Sequence, residues 1–372
     1  MCVVPTEGTQ TGAAERKLLV LGALGLVGRS VVQELDVRGG WEVIGVSRRA
    51  PDFATRARFV SVDLTDRQAC QRTFEGAELQ DVTHVVYSAL YEKPELIAGW
   101  RDAEQIATNL AMLRNVLDFL APSSALEHVT LLQGTKAYGA HLRPMRNPGR
   151  ESDARHEGAN FYWAQEDYLR EAAASHGFAF SIMRPQVVCG FALGSPMNII
   201  AAIGVYAAIQ KALGEPLRFP GGAPYVTQAT DARLLARAIV WAASNPACRG
   251  ETFNVANGDV LIWHTSWPTI ARALGMEAGE PRPLRLATAM PEHARRWDDI
   301  VARHGLEPHR MDQLVGSSWQ FADAVFGWGG SPPDAIVSTV KAAQFGFTEC
   351  IDTNRMFELQ LKRLRARRIL PS

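Results

Sequence analysis

A doubly wound α/β fold is what the sequence predicts: a parallel sheet with helices on both faces and a smaller, mainly helical cap contributed by the C-terminal part of the chain. Three features carry that expectation. From Lys17 onward, short β-branched runs alternate with longer amphipathic ones, the signature of strand–helix–strand units that feed a parallel sheet. A glycine trio, Gly22, Gly25 and Gly28, follows directly on the first apolar run, as in Rossmann-type sheets. After Pro185 the alternation breaks into Gly- and Pro-containing segments and a tryptophan-rich C-terminal third with Trp263, Trp267, Trp297, Trp319 and Trp328.

In chain order, strands are expected at Leu18 to Gly22, Glu42 to Ser47, Phe59 to Asp63, Thr83 to Ser88, His128 to Gln133, Phe180 to Arg184 and Thr252 to Val255, with helices between them. Right-handed crossovers would place the ligand crevice at the C-terminal ends of these strands. A helix is expected from about Asn198 to Ala212, and another after Thr230-Asp231 that runs through Trp241 before the chain returns to the sheet. The domains are therefore read as interleaved. Residues 1–15 form a loose tail, residues 16–190 the nucleotide-binding unit with a return segment at about 229–260, and residues 191–228 and 261–372 a substrate-binding cap.

Composition narrows the functional classes. The 372 residues hold 39 Lys plus Arg against 39 Asp plus Glu, so no global field draws the chain to nucleic acid or to an anionic membrane, and neither partner is expected. The basic run from Lys362 to Arg368 reads as a solvated helix face. Cys2, Cys70, Cys189, Cys248 and Cys350 are odd in number and scattered, which suggests neither a disulfide framework nor a metal site. A reducing compartment fits them. The N-terminal stretch does not read as a secretory signal, and the longest apolar run, Ile199 to Ile209, is too short to span a bilayer, so the expected location is the cytoplasm. Homodimer assembly is left open.

Leu18-Leu19-Val20-Leu21 runs straight into Gly22-Ala23-Leu24-Gly25-Leu26-Val27-Gly28 and a helix that begins near Leu26. In such a loop the first glycine permits the tight turn, the second lets the backbone approach a pyrophosphate, and the third lets helix and strand pack closely. The helix N-terminus supplies N–H donors and the positive end of its dipole. The second strand ends in Ser47-Arg48-Arg49, where an NAD enzyme would place an acid for the ribose 2′-hydroxyl. Two guanidinium groups suit a 2′-phosphate instead, so NADPH is the expected cofactor. Asp63 and Leu64 should border the adenine, and Ser88, Ala89 and Leu90 should run beneath the cofactor.

Reductases on this kind of sheet commonly carry Tyr-x-x-x-Lys on one helix, a spacing that sets both side chains on one face. Here the best candidate is in Asn160-Phe161-Tyr162-Trp163-Ala164-Gln165-Glu166-Asp167, with Glu166 four residues beyond Tyr162. A cation could come from Lys136 in Leu132-Gln133-Gly134-Thr135-Lys136-Ala137-Tyr138-Gly139, just past the fifth strand, and Tyr138 is a weaker backup donor. With its glycine trio, Ser-Arg-Arg, a lysine after the fifth strand and Asn-Phe-Tyr-x-x-x-Glu-Asp, the chain resembles the progesterone 5-beta-reductase/iridoid synthase-like family of atypical extended short-chain dehydrogenases/reductases. The likeness continues through Ser181-Ile182-Met183-Arg184-Pro185, Pro196-Met197-Asn198, Phe253 to Val260 and Phe345-Gly346-Phe347, and so covers nearly all of the chain from Lys17. Trp163 stands where the family has a second tyrosine.

The resemblance implies NADPH-dependent 1,4-reduction of an activated enone, with Tyr162 and Lys136 aimed at the carbonyl oxygen and a small apolar carbonyl compound as substrate. It also implies that Gln133, Pro185, Val187, Val188, Ser195 and Met197 border the cofactor. Phe321 approximately matches a substrate-facing phenylalanine, and Tyr206, on the apolar helix at Ile199–Ala212, is expected to join it in the pocket. Two rival readings stay open: 1,2-reduction of an aldehyde or ketone on the same groups, and a non-catalytic NADP(H)-binding sensor. Nucleotide-sugar epimerisation is opposed by the missing Tyr-x-x-x-Lys spacing and by Arg48-Arg49.

Overall fold

The computed structural model describes residues 16–123 and 125–372, so the expected tail at 1–15 lies outside the described residues. Seven strands form one parallel sheet: β1 (Arg16–Leu21), β2 (Trp41–Val46), β3 (Arg58–Val60), β4 (His84–Tyr87), β5 (His128–Leu132), β6 (Ala179–Pro185) and β7 (Glu251–Val255). Their order is β3-β2-β1-β4-β5-β6-β7, with Leu18 beside both Val43 and His84 in the central register. The chain reverses direction across the sheet between β1 and β4, the switch point at which such sheets open a crevice.

Both faces of the sheet are covered, which is why its strands read as continuous apolar runs. Leu19 and Leu21 point to one face and pack with Phe74 of α2 (Arg67–Gly76), Leu113 and Leu117 of α3 (Ala103–Leu120) and Leu169 of α4 (Phe161–His176). Leu18 and Val20 point to the other and meet Val31 and Leu35 of α1 (Leu26–Arg38) and Leu235 and Ile239 of α6 (Ala232–Ser244), with α5 (Ile199–Ala212) lying between in sequence. Full burial of each such leucine contributes roughly 1.5–3 kcal/mol.

Strand ends differ slightly from expectation, for local reasons. β1 stops before Gly22, whose φ of +77° is incompatible with a strand. β3 ends at Val60 because the Asp63 carboxylate accepts hydrogen bonds from the Thr65 N–H and hydroxyl, turning the chain towards α2.

After β6 the chain leaves the sheet, pairs Val187–Cys189 with Ala229–Asp231 in a small parallel ladder, and returns through α6 to β7 at the sheet edge. The remaining segments build a separate core around α5, which is buried from Ile199 to Gln210 on every side by helices Ala294–His304, Ser318–Val325 and Thr353–Ala366. Trp263, Trp267, Trp297 and Trp319 fill that core, whereas Trp328 is exposed. No helix among the described residues is long and apolar enough to cross a membrane.

At the opposite end of the sheet from the crevice, His128 at the start of β5 is buried, and neither ring nitrogen has a hydrogen-bond partner. Burial, then the charges of His84 and Arg249, push its pKa down to about 3. The folded state thus holds this imidazole neutral while the unfolded chain binds a proton below about 6.5. Stability is full above the unfolded value and declines as pH falls towards the folded one, by up to ~1.4 kcal/mol per pH unit. His128→Leu is therefore expected to flatten the dependence, recovering about 2 kcal/mol between pH 6.5 and pH 5. Thermal melts of the two proteins across that range check it; parallel curves would contradict it.

Candidate active site

The crevice is a cleft of about 680 Å³ that runs across the C-terminal ends of β1, β2, β4, β5 and β6 and beneath part of the cap. Its floor begins at Gly22, whose N–H is bonded to the Val46 carbonyl oxygen at 3.2 Å. A Cβ there would stand 2.8 Å from the Ala89 nitrogen, so β1 and β4 approach each other only through a glycine. A Cβ on Gly28 would stand 2.4 Å from the Gly22 oxygen; this residue faces the strand, not the cleft, and lets α1 seat on the turn. Gly25 is the N-cap of α1 and offers no side chain to the first-turn N–H groups. Those donors, with Leu24, Leu26 and Val27 around them, border the open cleft as an anion would require.

Ser47, Arg48 and Arg49 line one end of the cleft, together with Asp63 and Leu64. Arg48 lies 4.0 Å from Asp63. The Asp63 carboxyl is held below its usual pKa by the Thr65 N–H first, against opposing burial, with Arg48 contributing least. Arg49 crosses the groove and donates to the Leu193 carbonyl oxygen at 2.7 Å. The two guanidinium groups thus flank one mouth of the cleft, and one of them touches the segment that leads to Ser195 and Met197.

Tyr162 and Lys136 come from different elements and meet in the opposite half of the cleft. Asn160 joins them. Its side-chain oxygen caps α4 by accepting from the Tyr162 N–H at 3.0 Å, and its amide donates to the Lys136 carbonyl oxygen at 2.9 Å. Gln133 donates to the Tyr162 carbonyl oxygen at 3.2 Å and to Glu166 at 2.9 Å. Glu166, at the position where a lysine is common, points away from the cleft and gathers Arg155, Arg170 and Arg184. Burial alone would raise the pKa of its carboxyl, but the hydrogen bonds from Gln133 and Arg170 hold it below the usual range. The residue is an anchor for the helix that presents Tyr162.

The Tyr162 hydroxyl has no hydrogen-bond partner among the described residues, and a Cβ on Gly134 would lie 3.4 Å from it. Burial, and then the charge of Glu92, hold the phenol well above its ordinary pKa, so it stays protonated as a donor. The Lys136 ammonium is buried without a hydrogen-bond partner and lies 4.4 Å from the ring centre of Trp100 and 5.5 Å from that of Tyr162. Burial lowers its pKa, and the nearby Glu92 opposes the fall. Both residues line the cleft, and among the described residues neither terminal donor has an acceptor.

Ser88, Ala89 and Leu90 lie along the cleft floor, and Pro185, Val187, Val188, Ser195 and Met197 form its wall towards the cap. Phe321 lines the same space beside Val325 and Tyr225. Two expectations need correction. Tyr206 is not in the cleft: it is 2% exposed, packs in the cap core and donates its hydroxyl to the Arg218 carbonyl oxygen at 3.0 Å. A helix apolar on all sides has no face that could mark a pocket, and this one is sealed all round. Tyr138 is not a spare donor, because its hydroxyl is committed to Asn254 at 2.5 Å.

Four residues of the site have roles that no motif assigns to them. Asn160 could have been found as an N-cap ahead of an aromatic helix start. Glu92, Trp100 and His141 stand in segments without a motif, and only the folded chain brings them to Lys136. Among the described residues, no group of three or more His, Cys, Asp or Glu could hold a metal ion.

A family model described as the NAD dependent epimerase/dehydratase family matches residues 18–256. Among curated proteins, an (S)-8-oxocitronellyl enol synthase of Camptotheca acuminata is 32% identical over 95% of this chain and 93% of its own length. A 3-oxo-Delta(4,5)-steroid 5-beta-reductase of Arabidopsis thaliana is 32% identical over 97% and 98%. Among solved structures, the UDP-glucose 4-epimerase of Thermotoga maritima superposes with a TM-score of 0.67 at 17% identity, over 94% of this chain and 99% of that one, a likeness of fold.

Proposed function

From the premise that this chain belongs to the NAD dependent epimerase/dehydratase family, in the group of the enol synthases and steroid 5-beta-reductases that it matches over nearly its whole length, we propose that it is an NADPH-dependent reductase of activated enones. The observation that carries this reading is that Tyr162 and Lys136 line one apolar cleft side by side, with neither the hydroxyl nor the ammonium holding a hydrogen-bond partner among the described residues. A 3-oxo-Delta(4,5)-steroid is itself a ketone conjugated to a carbon–carbon double bond, the group such donors would polarise.

A dinucleotide reading is supported by Gly25, which leaves the turn open on the cleft side, and by the first turn of α1, which no side chain caps. Arg48 and Arg49 would hold a 2′-phosphate, which supports NADPH over NADH. When bound, the reduced nicotinamide supplies the hydride for the β-carbon of the enone. Tyr162 and Lys136 donate to the carbonyl oxygen and stabilise the negative charge that gathers there. The α-carbon is protonated by water from the open mouth. Trp100, Phe161, Phe321 and Val325 keep the rest of the space dry, which strengthens both hydrogen bonds.

The test is NADPH oxidation with a small cyclic enone, a conjugated aldehyde and a Δ4-3-oxo steroid. A saturated carbonyl product is expected. An allylic alcohol would assign 1,2-reduction on the same groups, and no turnover across the panel by a preparation that binds NADPH would favour a sensor.

A further inference from the structure

Glu92 follows β4 in a segment with no motif, yet its side chain is only 3% exposed and its Oε1 stands 3.7 Å from Lys136 Nζ. The carboxylate is held from its other sides. Trp100 Nε1 donates to Oε1 at 3.3 Å, and Gln105 Nε2 donates to Oε2. Gln105 is itself fully buried, and its Oε1 accepts from the Lys93 N–H at 2.8 Å. At 3.7 Å the carboxylate is near enough to compensate the lysine charge. The buried ammonium is otherwise surrounded by the rings of Trp100, Phe161 and Tyr162 at 4.4, 5.3 and 5.5 Å.

We propose that Glu92 is a positioning residue for the reaction: it keeps Lys136 charged and in place beside Tyr162 in the cleft lining, so that the carbonyl oxygen meets an ammonium rather than a neutral amine. The inference rests on the enone-reductase reading. Removed from water, each partner would lose its charge without the other; burial pushes the pKa of the Glu92 carboxyl up and that of Lys136 down, and each opposes the other's shift. Other groups near the pair do not take over this role. His141, held down to about pH 4 by burial, then Lys136 and His156, is neutral at physiological pH, and the Tyr162 phenol is protonated. Arg101 bonds the His141 carbonyl oxygen, and Lys93 pairs with Asp102 and Glu104.

Glu92→Gln keeps the shape and the Trp100 contact while removing the charge. NADPH affinity is expected to stay unchanged and kcat at pH 7 to fall about tenfold, with the alkaline limb of the kcat profile displaced by about one pH unit or more to lower pH. Glu92→Asp, which retains the charge, should keep most of the wild-type limb. A second readout needs no turnover. Glu92→Gln should lower the melting temperature of the wild-type protein but raise that of Lys136→Met, where it removes an unpaired buried carboxylate. An unmoved limb, or additive effects on melting, would overturn the proposal. Coupling in the melting cycle with no enone turnover by any variant would leave Glu92 and Lys136 as a pair and defeat the reductase reading instead.

Discussion

Tyr162→Phe is expected to lower kcat for enone reduction by about 10²–10³-fold while NADPH affinity changes by less than about threefold. The substitution removes one O–H and little else. The ring remains packed on Phe161, at 4.4 Å between centroids, and the backbone N–H of residue 162 still meets the Asn160 cap. Among the described residues no group accepts from this hydroxyl, and on the proposed reading it would meet the charge that develops on the carbonyl oxygen. In a dry cleft such a donor contributes far more in the transition state than with neutral substrate bound, so the loss should fall on kcat and spare KM. Lys136→Ala should do similar harm, and the double variant much less than the product of the two, because both donors serve one oxygen. Single-turnover rates set beside NADPH titrations check this. A Tyr162→Phe protein with wild-type kcat would remove Tyr162 from the chemistry.

Arg48→Ala combined with Arg49→Ala is expected to lower kcat/KM with NADPH by about 10²-fold and to change it with NADH by less than about threefold, reversing or erasing the preference. A charge-assisted hydrogen bond to a phosphate contributes about 1.5–3 kcal/mol, and exposure of Arg48 reduces its share. The two arginines should not contribute equally. Arg48 is 76% exposed beside Asp63, so its first task is to offset an acid that would repel the phosphate. Arg49 also bonds the Leu193 carbonyl oxygen and lies against Gly194, where a Cβ would stand 3.3 Å from its Nη1. Arg49→Ala alone should therefore cost more, and should also raise the KM for the enone by loosening the segment that carries Ser195 and Met197. Initial rates with both nucleotides test the pair; equal losses with NADPH and NADH would mean that neither arginine reads a 2′-phosphate.

The enone chemistry was readable in advance only through a resemblance. Residue types alone lead one to expect a dinucleotide over Gly22 to Gly28 and a phosphate near Arg48 and Arg49, whereas nothing in the spacing of Lys136 and Tyr162 required them to meet. Asn160 explains the meeting, because one amide side chain caps α4 and grips the backbone of Lys136 at once. Tyr206 shows the opposite case. It was expected in the pocket because its helix is apolar, but Ile199–Gln210 is buried on every side, and a helix without a polar face gives periodicity no direction to report.

By itself the sequence determined the alternation of strands and helices, the glycine turn and the double arginine, since each is set by neighbours a few residues away: side-chain period, a φ of +77° at Gly22, a charge at a strand end. Only the tertiary structure decided that Glu92 stands 3.7 Å from Lys136, that Glu166 turns from the cleft, and that Trp263, Trp267, Trp297 and Trp319 of the cap are core. The partners of a buried charge or a large apolar side chain come from distant parts of the chain, and which of them it meets depends on packing that no local pattern encodes.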